Sequence, residues 1–188
     1  MKKYAMTLAL LLSAMTVRAE PPTGQVVKLA NGVTPMELDG LKLQATLTHR
    51  ENYNAHSFDI FSLAIKDAVM KGSAPSWQAV TFFDGDEEHY ELRSGGGADC
   101  LLHDFRLLRL GKTLTLVLAD REPGDSFADQ ARVTFSFYEL RKNAQNAVGR
   151  PLYYFERTAT QPATQSYCDV SDAFSAELKL PEREERVR

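Results

Sequence analysis

One stretch of the sequence carries residues that could bind a metal ion. Between Ser94 and Asp129 lie the carboxylates of Asp99, Asp120, Asp125 and Asp129 and the imidazole of His103. Carboxylate oxygens are the ligands that calcium prefers, and an imidazole nitrogen suits zinc. These five residues are therefore candidate ligands for a divalent cation. No other cofactor is expected.

A tight turn at Gly111-Lys112 brings two of these candidates together. A glycine in first place of a two-residue loop suits a type II′ turn between strands, and runs rich in Leu flank it here. Counting outward from this turn sets His103 directly opposite Asp120, with Cβ atoms about 5 Å apart, and Asp99 on the same face. A His–Asp pair that closes the end of the core is the simpler interpretation. A metal site completed by Asp125 or Asp129 of the next loop is the alternative.

The sequence contains none of the common motifs of hydrolases. There is no Gly-x-Ser-x-Gly and no Ser-x-x-Lys, and the four histidines form no His-x-His or His-Glu-x-x-His pair. We therefore expect no catalytic residues and no enzyme activity. A metal-dependent hydrolase that uses the acidic residues described above is the alternative.

The N-terminus has the features of a secretory signal peptide. Lys2 and Lys3 precede an apolar run from Ala5 to Met15, and Val17-Arg18-Ala19 supplies a cleavage site. This run is shorter than the roughly 20 residues that span a bilayer. We therefore expect residues 1–19 to be removed and the protein to be periplasmic, with no membrane span.

The predicted cleavage changes the length and charge of the chain. It leaves 188 − 19 = 169 residues, a length that fits one domain. The formal charge becomes (22 − 3) − 25 = −6, because two lysines and one arginine are lost. Phosphate binding needs a basic surface, so a nucleic-acid partner is disfavoured.

Cys100 and Cys168 are the two cysteines of the chain. Export places them in an oxidising compartment, where such a pair commonly forms a disulfide. We expect this bond to tie the C-terminal segment to the start of the hairpin around Gly111. A bonded sulfur is not a nucleophile, so thiol catalysis is excluded.

Residues 20–180 are predicted to form a single mainly β domain, an antiparallel two-sheet β-sandwich with one short C-terminal helix. Residues 20–40 are predicted as an arm with at most short strands. Alternating or continuous apolar patterns predict the following strands: Leu41–His49, His56–Lys66, Trp77–Phe83, Asp86–Arg93, the two strands around Gly111, Val133–Leu140 and Pro151–Arg157.

Three further features complete this prediction. Asp84-Gly85 is a hairpin turn signal. The glycines of Ser94–Gly97 suggest a flexible connector, or a place where a ligand approaches the backbone. A helix is predicted within Cys168–Leu180, with Asp169 or Ser171 as its N-cap, and residues 181–188 are predicted to be a charged, disordered tail.

Several blocks of the chain resemble the exported intrinsic carbapenem-resistance proteins first known from carbapenem-producing bacteria. The blocks are GGGADCLLHDFRLLR, LADREPGDSFAD, VTFSFYEL, PLYYF and YCDVSDAF. The resemblance covers roughly Trp77 to Phe174. The resemblance implies a periplasmic protein that protects the cell against a carbapenem without hydrolysing it. Its partner would be a carbapenem or a periplasmic protein, and an envelope protein-interaction module is a further alternative. The resemblance implies no catalytic residue, and the sequence does not indicate the oligomeric state.

Overall fold

The computed structural model describes residues 24–67, 74–97, 99–124, 126 and 128–183. The predicted signal peptide, Asp125 and residues 184–188 lie outside these ranges. The described elements are β1 (Gln25–Val26), β2 (Gly32–Leu38), β3 (Leu41–Arg50), β4 (Phe58–Asp67), β5 (Ser76–Asp84), β6 (Glu87–His89), β7 (Leu92–Gly96), β8 (Leu101–Leu110), β9 (Thr113–Arg121), β10 (Ala131–Lys142), β11 (Tyr153–Tyr167) and α1 (Val170–Leu178). Within these ranges, no helix has the length and apolar character needed to cross a membrane.

The predicted fold class is confirmed: the chain is mainly β, sandwich-like, with one short helix near its C-terminus. Strands β2 to β5 pack against β8 to β11, and the apolar side chains between the two layers form one core. Alternation explains this core, since Leu43, Ala45 and Leu47 of β3 all point into it.

Strand β4 joins the two layers. One side of β4 pairs with β3 over nine residues, from Phe58 to Lys66. The other side pairs with β7 through Phe58–Phe61 and with β5 through Leu63–Asp67. Because β11 pairs in parallel with β5, the pairings form a closed circuit, β4-β7-β8-β9-β10-β11-β5-β4.

Helix α1 covers the outer face of β8, β9 and β10 and creates a second core. Val170, Ala173, Phe174 and Leu178 of the helix are buried against the apolar side chains of these strands. Of the two predicted N-cap residues, Asp169 caps the helix, and its carboxylate accepts a hydrogen bond from the Ser171 amide. The predicted disulfide, Cys100–Cys168, precedes the helix and ties it to the start of β8.

The central hairpin has the predicted turn and register. Leu110 pairs with Thr113, and the pairing continues outward to His103 and Asp120. Gly111 has φ +57°, and Lys112 does not have a positive φ, as a type II′ turn requires. Simple alternation along β8 would place Leu101 on the same face as Phe105, but Leu101 lies in the core beneath the helix and Phe105 lies in the main core. A shift in the β7–β8 pairing at Gly95 and Gly96 accompanies this difference.

The turn predicted at Asp84-Gly85 is displaced by one residue. Asp84 pairs with Glu87, so the turn residues are Gly85 and Asp86. Asp84 belongs to strand β5, where its carboxylate binds the guanidinium of Arg157 on β11. This contact between distant parts of the chain holds Asp84 in the strand, and Gly85 supplies the positive φ of the turn.

Candidate functional site

His103 and Asp120, the predicted cross-strand pair, are in contact. The distance from His103 Nδ1 to Asp120 Oδ1 is 2.7 Å, and the two side chains are 46% and 43% exposed. The pair lies on the ladder between β8 and β9 at the end away from the Gly111 turn. The structure thus has the geometry of a His–Asp pair at the rim of the hairpin.

The other candidate metal ligands do not join this pair. Asp99 is exposed and lines a separate cleft, described below. Asp129 is exposed in the loop after β9, where its backbone carbonyl accepts a hydrogen bond from Arg121. Asp125 lies outside the described residues. Within the described ranges, no group of three or more His, Cys, Asp or Glu side chains is placed to hold a metal ion.

A cleft of about 540 Å³ opens beside the disulfide, and we call it the disulfide cleft. Its walls are the 51–59 segment, the glycines of β7 and the residues around Cys100. Four carboxylates and one imidazole line it: Glu51, Asp59, Asp99, Asp169 and His49. Its polar lining is therefore predominantly acidic.

His49 and Asp59 form the ordered polar pair of this cleft. They face each other across β3 and β4, with 2.8 Å between Nδ1 and Oδ1. The hydrogen bond to Asp59 raises the pKa of His49, and Glu51, at 3.6 Å from Nε2, adds a smaller effect in the same direction. Ser57 also lines the cleft, but its hydroxyl donates to Glu51 at 2.6 Å. The serine is therefore bonded to a carboxylate rather than to the imidazole.

Behind the cleft, Asp59 binds a buried arginine from the C-terminal end of the described chain. Arg183 donates to the Asp59 carboxylate and to the Ser94 hydroxyl, the latter at 2.9 Å. Its side chain is 7% exposed. Residues 181–188 were predicted to be a disordered tail. Arg183, in the described part of that segment, is instead anchored in the protein by these contacts.

The charges continue inward beneath helix α1. Arg183 lies 3.7 Å from the carboxylate of Asp104, which in turn binds Arg106 at 2.6 Å. Asp104 and Arg106 are 0% and 1% exposed at their side chains. Arg106 also donates to the carbonyl of Pro181 at 2.7 Å and stacks over the ring of Phe174 at 4.3 Å. We call His49, Asp59, Arg183, Asp104 and Arg106 the charge network.

This network was not predicted from the sequence. Asp104 and Arg106 stand two residues apart on β8, which places them on one face of an otherwise apolar strand. This spacing was the available signal for a buried ion pair, but the burial depends on α1 and on Pro181, which are distant in sequence.

The glycines of β7 have a structural role. Gly95 and Gly96 have φ of +146° and +142°, a region that side chains rarely adopt. A Cβ on Gly95 would lie 2.9 Å from Cβ of Phe58, and one on Gly96 would lie 2.5 Å from Cβ of Leu102. Rather than a connector, this segment is a paired strand that only glycine can form at these two positions.

The chain matches no protein-family model and no curated protein. Its fold is similar to the crystal structure of CarG, with a TM-score of 0.68 and 23% sequence identity. The match covers 85% of this chain and 99% of that chain. At this level of identity the similarity establishes a shared fold.

Proposed function

We propose that this chain is an exported, non-enzymatic binding protein of the periplasm that protects the cell against a carbapenem. It would do so by binding either the antibiotic or a periplasmic protein. The observation that carries this proposal is that the blocks resembling the carbapenem-resistance proteins form one contiguous part of the fold.

The blocks occupy β7 to β11 and helix α1. They supply both cysteines of the disulfide and both partners of the Arg106–Phe174 stack, with 4.3 Å between the guanidinium and the ring. They also supply Phe135 and Phe174, whose ring centroids lie 5.5 Å apart. These contacts hold the blocks together as one part of the fold.

The fold similarity supports the same proposal. The match covers 99% of the CarG chain, so the two proteins share a complete fold rather than one local motif. The proposal is consistent with that shared fold.

The polar groups of the disulfide cleft support binding rather than covalent chemistry. The Ser57 hydroxyl is bonded to Glu51, and the His49 imidazole is bonded to Asp59. A serine nucleophile activated by a histidine would need those two groups in contact with each other. Fixed carboxylates around an open cleft suit recognition of a positively charged protein surface.

The test is to express the full chain in a carbapenem-sensitive bacterium and to measure carbapenem tolerance. The matched control lacks residues 1–19, so that the same domain stays in the cytoplasm. We expect tolerance to rise with the full chain and not with the control. Purified protein should leave the carbapenem concentration unchanged.

Three results would contradict this proposal. Carbapenem loss that a chelator abolishes would indicate the metal-dependent hydrolase. Equal tolerance from both forms would refute action in the periplasm. Unchanged tolerance with an exported, folded protein would leave the envelope interaction module as the better hypothesis.

A further inference from the structure

A second cleft lies between the edges of β1 and β2, on the side where the two layers separate. Its volume is about 490 Å³, and we call it the β1–β2 cleft. Strand β1 pairs with β8, and β2 pairs with β3, so each strand turns its other edge toward the cleft. Val27 and Lys28, which follow β1, also line the cleft.

The floor of this cleft is the main core of the protein. Leu38, Leu43 and Leu114, which are 3%, 1% and 2% exposed, line it together with the half-buried Val27 and Met36. Contact with these side chains would remove an apolar ligand surface from water, which is favourable in proportion to the area buried. The floor therefore favours an apolar ligand body.

The lip of the cleft carries Arg109, which makes no contact within the described ranges that stabilises the fold through its charge. Arg109 is exposed on β8, opposite Gln25 of β1 and Leu114 of β9. Among the contacts of the described residues, its guanidinium has no ion pair and no hydrogen bond. Other exposed arginines are paired, for example Arg141 with Glu139 at 2.8 Å.

Arg109 and Lys28 line the cleft on the β1 side, and Glu37 lines it on the β2 side. Arg109 therefore offers a guanidinium to a ligand in the cleft. A guanidinium binds a carboxylate through two parallel N–H···O bonds, and a neutral isostere of the ligand cannot replace that interaction.

We propose that the β1–β2 cleft binds a small monocarboxylate with an apolar body, whose carboxylate pairs with Arg109. This site is distinct from the disulfide cleft, and the inference stands without the proposed function. A carbapenem, which is a compact bicyclic carboxylate, has this chemistry, and so do many other small acids. The test below distinguishes these sources.

The cleft contains its own spectroscopic reporter. After cleavage at Ala19 the chain has two methionines, Met36 and Met70. With labelled methionine methyl groups, residues 20–188 give two signals by NMR, and Met36→Leu identifies the one from the cleft. Cyclohexanecarboxylate is the probe, and cyclohexanecarboxamide is its neutral match.

We expect the acid to shift the Met36 signal at concentrations where the amide does not. Arg109→Gln should weaken acid binding about tenfold, the usual effect of losing one charge-assisted pair. Glu37→Gln, on the opposite lip, should leave acid binding unchanged or tighten it. Circular dichroism confirms that each variant is folded, and Arg109→Lys, which keeps the charge, should recover part of the affinity.

The proposal is overturned if the Met36 signal does not respond to the acid, if the amide binds as tightly, or if Arg109→Gln binds the acid like the wild type. A carbapenem is then titrated in the same way. A shift that depends on Arg109 identifies it as a ligand of this cleft. Binding of cyclohexanecarboxylate alone supports the carboxylate site and assigns it to a different acid, whereas the tolerance experiment decides the proposed function separately.

Discussion

The two His–Asp pairs of this protein show which contacts can be read from residue spacing. His103 and Asp120 were predicted by counting outward from one turn, because a short hairpin fixes every later pair. His49 and Asp59 face each other in the same way across β3 and β4. They were not predicted, because the loop between those strands gives no register from its sequence. The residue pairs across two strands can be predicted from the sequence only where the turn that joins the strands can be predicted.

The buried ion pair makes the first prediction at the residue scale. Arg106→Met leaves the Asp104 carboxylate buried without its closest cation, so the free energy of unfolding should fall by about 3–5 kcal/mol. Urea unfolding followed by tryptophan fluorescence measures this change. The chain has one tryptophan, Trp77.

The double variant Asp104→Leu/Arg106→Met is the matched control. It removes both charges, so it should be more stable than Arg106→Met alone, although it carries one more substitution. If the double variant is the less stable of the two, the stability lost in Arg106→Met does not come from an unpaired Asp104 carboxylate.

The pH dependence of stability makes the second prediction. The pKa of His49 is raised in the folded state by Asp59, so the folded protein holds this proton more tightly than the unfolded chain. The stabilisation is complete below the ordinary histidine pKa of about 6.5 and disappears as the pH rises through the higher, folded value. The wild type should therefore lose stability relative to His49→Gln as the pH rises above about 6.5. Urea midpoints of both proteins across this range provide the measurement, and parallel curves would refute the assignment.

At the scale of elements, turns decided which strand predictions succeeded. Asp39-Gly40 joins β2 to β3 with both residues at positive φ, 49° and 81°, as a type I′ turn requires. The same dipeptide at Asp84-Gly85 is not the turn, because Arg157 holds Asp84 in the strand. Strand β2 was predicted only as part of an arm, although Asp39-Gly40 was a signal for this hairpin. An Asp-Gly dipeptide predicts the position of a turn correctly unless a side chain from a distant part of the chain holds one of its two residues in a strand.

Strand β7 supplies the prediction at this scale. Gly96→Ala should lower the free energy of unfolding by about 2–4 kcal/mol, because it adds a clash with Leu102 to the strain of a positive φ. Gly149→Ala is the matched control, since Gly149 also has a positive φ, +81°, but a Cβ there meets no atom within 4 Å. Thermal unfolding of both variants should show the larger loss for Gly96→Ala. Equal losses would mean that backbone strain alone accounts for the effect.

At the scale of the whole molecule, the sequence predicted the class of fold but not its closure. Alternating strands, one capped helix and the cysteine pair are local or compositional signals, and the structure contains all of them. The division of β4 between two partners and the parallel pairing of β11 with β5 depend on contacts between distant segments. The candidate site shows the same difference between local and distant contacts. The predicted His103–Asp120 pair is present, whereas the charge network depends on α1 and Arg183 and could not be predicted from local sequence.

The parallel pairing also sets the order in which the molecule can assemble. Tyr154 pairs with Thr81, a separation of 154 − 81 = 73 positions, so the closed circuit waits for a late part of the chain. Pairing across such a distance must overcome the entropy of a long loop, which places folding in the range of milliseconds to seconds. Until β11 arrives, one edge of β5 is open beside the buried residues Val80–Phe83, and that intermediate is prone to aggregation. Cys168 directly follows β11, so formation of its bond to Cys100 reports that β11 has reached its place and that the fold is complete.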